Sequence, residues 1–367
     1  MVSRRRTSRK KKGSGAAGIL IFLFFFALVA LMGATAWFVF TPSGPSQEVF
    51  VEIAPGSTSR QIAAQLESSG VIRSRYAFDA VRLWKHGSLK AGEYRFNEPA
   101  TVPEVYSRIA RGDVFTLAVT IPEGSTRFDI AQRLVQAGFL NLTQEKFLAA
   151  TLTETPLIAD LDPHAASLEG YLFPDTYRFQ RRVTPTQVIS AMVRRFRTEA
   201  AQIGLKQSPR SVHDTVTLAS LVERETAIPS ERPLVASVLT NRLDKNMPLM
   251  TDPAVIYGLQ LKNQWRGAIY QSDLSSAAKD TPYNTYRHTG LPPGPIANPG
   301  AASLRAAMSP ANSNYLYFVA AGLDPQGKSL FAATLDEHNK NVAAYRKAIK
   351  EANKEANANA SGSSKTH

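Results

Sequence analysis

Ala16 to Phe40 contains no charged residue, and its middle reads Ile19-Leu20-Ile21-Phe22-Leu23-Phe24-Phe25-Phe26. An apolar run of about 25 residues exceeds the roughly 20 that cross a bilayer as a helix. A cleaved secretory signal has an apolar core of only about 7 to 15 residues. The length therefore predicts a retained transmembrane helix over 16–40. Residues 1–15 form a basic tail, in which Arg4, Arg5, Arg6, Arg9, Lys10, Lys11 and Lys12 precede any acidic residue. Cations flanking a span remain on the cytoplasmic side. The expected topology is single-pass in the cell (inner) membrane, with the N-terminus cytoplasmic and everything from about Thr41 outside. Trp37 falls near the outer end of the run, where an indole favours the interface.

That placement changes the meaning of the charge. The formal net charge is +13, but the tail supplies about half of it. A basic tail next to a membrane span argues against a nucleic-acid partner. With 44% hydrophobic and 20% charged residues over 367 positions, the rest is a chain that folds, long enough for two or three domains. There are no cysteines, which excludes a disulfide framework, a thiolate metal site and a cysteine nucleophile. The six histidines show no metal-ligand spacing, and His288 and His338 read as structural. No Gly-x-Ser-x-Gly elbow and no phosphate loop occurs. Neither a metal nor a cofactor is expected.

Residues 41–47, with Thr41-Pro42-Ser43-Gly44-Pro45-Ser46, read as a short linker. Val49, Val51 and Ile53 then alternate with Phe50, Glu52 and Ala54, the period of a strand. Pro55-Gly56-Ser57 turns the chain, and Thr58 or Ser59 can cap a helix with Ile62, Ala63 and Leu66 on one face and Gly70 at its end. Gly124, Ser125, Thr126, Ile130, Ala131, Leu134 and Gly138 repeat the pattern about 68 residues later, in register with Gly56, Ser57, Thr58, Ile62, Ala63, Leu66 and Gly70. The unit of strand, Gly-Ser-Thr turn and helix start resembles a LysM module, a small glycan-binding fold. Ala91 to Phe96 reads as a further strand and Val102 to Ile109 as a helix. From about Leu140 the chain is mostly helical. Beyond Glu351 it is rich in Ala, Asn, Lys and Ser and is expected to be frayed or disordered.

The stretch with most chemical content is Val216-Thr217-Leu218-Ala219-Ser220-Leu221-Val222-Glu223-Arg224-Glu225-Thr226. Asp214 or Thr215 can cap it. At about 100° per residue Leu218, Leu221 and Val222 make one stripe, and Glu225 falls inside it. Glu223 points to the far side with Val216, Ala219 and Ser220, so the two glutamates cannot face one cleft. A carboxyl on an apolar face is desolvated, its pKa rises, and it stays protonated near neutrality as a general acid must. A structural glutamate buried against an arginine has the same local pattern.

A series of words in the chain resembles the endolytic murein transglycosylase family, also called MltG-like or YceG-like. They are Leu168-Glu169-Gly170-Tyr171-Leu172-Phe173-Pro174-Asp175-Thr176-Tyr177, then Ala219 to Ala227, Val235-Ala236-Ser237-Val238 and Asn241-Arg242-Leu243. Thr251 to Gly258, Tyr283-Asn284-Thr285-Tyr286, Gly290 to Ile296, Asn298-Pro299-Gly300, Tyr315 to Val319 and His338-Asn339 continue the series. The likeness runs from about residue 48 to about 350. It implies that Glu225, the second glutamate of Glu-x-Glu-Thr, is catalytic. It implies cleavage of the β-1,4 bond between N-acetylmuramic acid and N-acetylglucosamine of peptidoglycan without water, leaving 1,6-anhydro ends and terminating nascent strands. Glycan strands are then the substrate, and peptidoglycan synthases are candidate partners. Asp252, Tyr283, Asn284 and Tyr286 offer the hydrogen-bonding and aromatic groups that sugars use, although such residues also fix turns.

The expected fold class is α+β: a transmembrane helix, a LysM-like module over 48–118, and a mainly helical, lysozyme-like catalytic domain with loop insertions over 119–350, followed by a flexible tail over 351–367. Three rival functions are a non-catalytic glycan-binding scaffold, a cytosolic lyase of folate biosynthesis, and a hydrolytic glycosidase using Asp252 as its second carboxylate.

Overall fold

The computed structural model describes residues 14–322 and 328–363. The basic tail expected over 1–15 falls almost wholly outside them. Helix α1 (Ser14–Phe40) includes the one segment among the described residues, Gly18–Phe40, that is long and apolar enough to cross a membrane. Its side chains lie open from residue 18 to residue 38, as those of a span do outside lipid. The rest of the chain is a helix-rich α+β structure dividing into two compact units between Thr116 and Leu117.

In the first unit β1 (Val49–Ile53) is followed by α2 (Ser59–Ser68), α3 (Arg75–Lys85), β2 (Gly92–Phe96) and α4 (Val102–Arg111). β1 and β2 pair antiparallel with Val51 opposite Tyr94. Alternation puts Val51 and Ile53 inside, against Ile62, Ala63 and Leu66 of α2 and Phe78 and Val81 of α3. The residues expected to form the apolar face of α2 are thus buried. The linker is not a free tether. Ser43 exchanges two backbone hydrogen bonds with Ala100, at 3.0 and 2.8 Å, and Arg73 donates to the Pro42 carbonyl at 3.3 Å. Val39, on the last turn of α1, is buried in the same core.

The second unit opens with β3 (Leu117–Thr120), α5 (Arg127–Gln136) and α6 (Gln144–Thr153), and β4 (Thr176–Phe179) returns to pair antiparallel with β3, Val119 opposite Tyr177. It repeats the strand–helix–helix–strand order of the first unit. The repeat read in the sequence is a real structural one. Gly56 and Gly124 both turn the chain at positive φ, +81° and +74°, where a Cβ would be strained. Thr58 and Thr126 both close capping boxes, the first with Gln61 and the second with Asp129, each worth about 1 kcal/mol. Gly70 and Gly138 leave the helices at φ +70° and +83°.

The helical body is α7 (Pro185–Gln202), α8 (Val212–Glu225), α9 (Arg232–Asp244), α10 (Asp252–Leu261), the short α11 (Gln271–Ser275) and α12 (Ala301–Met308). The hairpin of β5 (Tyr317–Ala320) and β6 (Ser329–Ala332) and the long α13 (Leu335–Ser363) complete it. α8 is the axis, packed on α9, α10 and α12. Every residue from Thr215 to Val222 is buried, so α8 has no solvent-facing side to oppose an apolar stripe. It also starts earlier than the caps Asp214 or Thr215 would give. Ser211 accepts from the Asp214 N–H at 3.0 Å and donates to its carboxylate at 2.8 Å, the Ser-x-x-acid signature of a helix start. The end expected to be frayed is helical as far as Ser363, since Ala and Lys are good helix formers however polar the segment.

Candidate active site

Glu225 is the last residue of α8, where the buried helix reaches an open cleft of about 330 Å³. Val238, Leu239 and Arg242 of α9, Leu249 to Pro253 at the start of α10, Tyr286, Phe318 of β5 and His338 of α13 line the cleft with it. Burial, then the neighbouring Asp252 carboxylate, raises the Glu225 pKa from its ordinary 4.5 to about 7, against the pull of Arg242 and Arg224. The helix C-terminus adds in the same direction, because its carbonyls disfavour an anion. Glu225 is therefore protonated for much of the time at neutral pH and can still ionise, the two states that an acid and then a base require.

Glu223, two residues earlier, faces the interior. Its carboxylate accepts from Arg232 at 2.8 Å and from the Gly300 N–H at 3.0 Å, with both charged side chains almost fully buried. The structural pattern of a glutamate against an arginine belongs to this residue. Its role is to tie α8 to α9 and to the start of α12. Arg224 points elsewhere, donating to the Gly124 carbonyl at 3.2 Å.

Two of the other expected residues join Glu225 and two do not. Asp252 sits in the first turn of α10 and accepts from the Tyr286 hydroxyl at 2.6 Å. Thr285 brings them together, accepting from the Thr251 N–H at 2.9 Å while its carbonyl accepts from the Met250 N–H at 3.1 Å. Met250 holds φ +56° at this junction, a left-handed conformation unusual for a side chain of its size. Asn284 is fully buried. Its amide donates to the Leu274 carbonyl at 3.1 Å and accepts from the Tyr286 N–H at 3.1 Å. It shapes the turn that presents Tyr286 and has no face toward the cleft. Tyr283 lies outside the cleft lining, its ring edge-on to Tyr257 at 5.1 Å. The turn at Asn284, where the N–H groups of Arg287 and His288 donate to the Asn284 carbonyl at 3.0 Å, separates the two tyrosines, one in the packing and the other in the cleft.

Arg242 stands in the sequence words without a role, and His338 reads there as structural. Nε and Nη1 of Arg242 donate to the carbonyls of Leu316 at 2.7 Å and Leu249 at 2.9 Å, and its guanidinium lies 5.2 Å from the Tyr317 ring centre. The Tyr317 ring stacks in turn on His338 at 5.1 Å. Burial and the charge of Arg242 push the His338 pKa down, so the imidazole is neutral. An arginine, a tyrosine and a histidine from α9, β5 and α13 thus back one wall of the cleft. Their sequence separation is why local pattern could not group them.

A second buried carboxyl lies outside the cleft lining. Glu169 accepts from the Arg127 N–H at 3.1 and 3.0 Å and from Asn298 at 2.8 Å, and burial lifts its pKa to about 7. Asn298 also donates to the Ser125 carbonyl at 2.9 Å and accepts from the Leu172 N–H at 2.8 Å. The Gly-Ser-Thr turn of the second repeat, exposed in the first, is bolted here into the helical body. Gly170 has φ +88°, and a Cβ there would meet Pro295 at 2.6 Å and Val216 at 2.8 Å.

A carboxyl poised near neutrality, a second carboxylate and an arginine around an open cleft are the constellation of an acid–base enzyme. The sequence matches the YceG-like family over residues 51–344, and the chain belongs to that family. It is 34% identical over 308 residues to a Bacillus subtilis protein named endolytic murein transglycosylase, covering 80% of this chain and 83% of that one. A Streptococcus pneumoniae protein of the same name is 31% identical over 323 residues, covering 81% of this chain and 58% of its own length. A 2.6 Å crystal structure of a yceG-like protein from Listeria monocytogenes superposes with a TM-score of 0.52 at 35% identity, covering 80% of this chain and 99% of that one.

Proposed function

We infer that this protein is an endolytic murein transglycosylase, a lyase that cuts peptidoglycan glycan strands internally. The observation that carries the chemistry is the Glu225 carboxyl, pushed up to about 7 in an open cleft. The activity named for its relatives supplies the substrate. In this reading Glu225 protonates the glycosidic oxygen between N-acetylmuramic acid and N-acetylglucosamine, and the C1–O bond breaks. The substrate's N-acetyl oxygen stabilises the cation left at C1. Glu225, now ionised, takes the proton of the C6 hydroxyl, and O6 closes on C1 as a 1,6-anhydro ring. The proton returns to the same carboxyl and no water is consumed.

Burial and, after it, charge repulsion from Asp252 favour the protonated form of Glu225, and Tyr286 fixes Asp252. Arg242 opposes Asp252 and holds the Glu225 pKa near neutrality rather than higher. A second reading, hydrolysis with Asp252 as base, draws on the presence of both carboxylates in one cleft.

The first unit supports a LysM-like glycan-binding reading through its strand–helix–helix–strand order, and the helical body around α8 supports a lysozyme-like one. With the cations of residues 4–12 held in the cytoplasm, the cleft is outside the cell membrane, near strands as synthases make them. Purified full-length protein in detergent, incubated with murein, should release soluble fragments. The Glu225→Gln protein should release about 100-fold fewer, the scale of lost acid–base catalysis. Equal release by both would reject Glu225 as the acid.

A further inference from the structure

Helix α3 carries exposed apolar side chains that, among the described residues, meet only cations of the same helix: Arg75 lies 5.1 Å from the Tyr76 ring centre and Lys85 5.9 Å from that of Trp84. Tyr76, Leu83 and Trp84 are 70%, 74% and 67% exposed, while Ala77, Phe78 and Val81 on the other side form the core. At about 100° per residue Tyr76 and Leu83 stand almost in line, and Trp84 lies about 80° round the helix from Tyr76. Two exposed aromatics and an exposed leucine within about 100° of one short helix are more than scattered surface residues require.

The start of α3 is fixed to the outer end of α1. Arg73, two residues before α3, places its guanidinium 4.7 Å from the Trp37 ring centre and donates to the Pro42 carbonyl. Val39 is packed into the same core as Phe78 and Val81. The Ser43–Ala100 bridge removes slack from the connection. So α3 begins at the level of Trp37, where a crossing helix meets headgroups. Tyr and Trp favour that layer, because each pairs an apolar ring with a polar edge. The helix is also net cationic: Arg75, Arg82 and Lys85 lie along α3 with Asp79 as its one acid, although Arg75 also pairs with Glu67 and Lys85 with Ser107, and cations favour an anionic lipid surface.

We propose that this face of α3 seats the first unit on the outer surface of the same bilayer that α1 crosses, with Tyr76, Leu83 and Trp84 in the headgroup layer. The inference rests on α1 being a membrane anchor. The function of the seat is to fix the unit's tilt, which a single helix leaves free.

The full chain reconstituted in vesicles of zwitterionic and anionic lipid tests it. Phenylalanine replaces two of the three tryptophans, leaving Trp37 alone (W84F/W265F) or Trp84 alone (W37F/W265F). Quenching by lipids brominated on the upper acyl chain reads each indole's contact with the bilayer. Both variants should lose most of their emission, and Tyr76→Asp with Leu83→Asp should restore the Trp84 signal while leaving that of Trp37 quenched. If Trp37 escapes quenching, the anchor reading fails and this proposal with it. If Trp37 is quenched and Trp84 is reached only by aqueous acrylamide, the anchor stands and the seat is wrong. The face is then open to water or to a protein.

Discussion

Replacing Glu225 with glutamine should make the protein more stable at neutral pH while removing its activity. A shift from 4.5 to about 7, at about 1.4 kcal/mol per unit, corresponds to roughly 3 kcal/mol. The solvent that enters an open cleft reduces this to about 2 kcal/mol. The sign follows from proton counting. Between pH 4.5 and 7 the folded protein holds the Glu225 proton and the unfolded chain has released it. Stability therefore falls as pH rises across that window. Glutamine has no proton to lose and escapes the penalty. The two proteins should unfold alike near pH 4 and diverge up to pH 7, with the glutamine variant ahead by about 2 kcal/mol from there on. Urea melts at half-unit intervals from pH 4 to 8 measure the difference, and other buried groups such as Glu169 cancel between the two proteins. A constant gap, or a glutamine variant less stable above pH 7, would refute a desolvated Glu225.

Glu223→Gln leaves Arg232 buried with only Glu123 to answer its charge. Unfolding should cost about 3 kcal/mol less in urea melts, while kcat per folded molecule stays near wild type. Asp252→Asn removes the repulsion that raises Glu225. The descending alkaline limb of the pH–rate profile should move down by up to about one unit, because the acid is lost sooner. Gly170→Ala places a Cβ against Pro295 and Val216 at φ +88°. It should destabilise by about 2–4 kcal/mol in the same melts.

The two repeats were legible because strand, capped turn and helix are local. Gly56 and Gly124 turn the chain for reasons contained within a few residues. Helix α8, which carries the proposed catalytic residue, was legible in part. Periodicity separated Glu225 from Glu223, but the buried circumference of α8 shows that an apolar stripe is not what distinguishes them. Glu225 differs because α8 ends there and opens on the cleft, whereas Glu223 meets Arg232 and, 77 residues on, Gly300. Nothing within a helix window reports such partners. The same holds for Asn284, whose residue type suits sugar binding but whose amide is consumed by Leu274 and Tyr286. It holds for His338 too, which read as structural and lines the cleft because α13 folds back on β5.

The central claim is that Glu225 serves as both acid and base in a cut that uses no water. Glycan strands digested by the full-length protein in water enriched in oxygen-18, with the new ends weighed by mass spectrometry, test it directly. The new ends should be 1,6-anhydro ends, lighter by one water than reducing ends and free of label, produced inside strands and about 100-fold fewer with Glu225→Gln. New reducing ends in place of anhydro ends would contradict it and would favour hydrolysis.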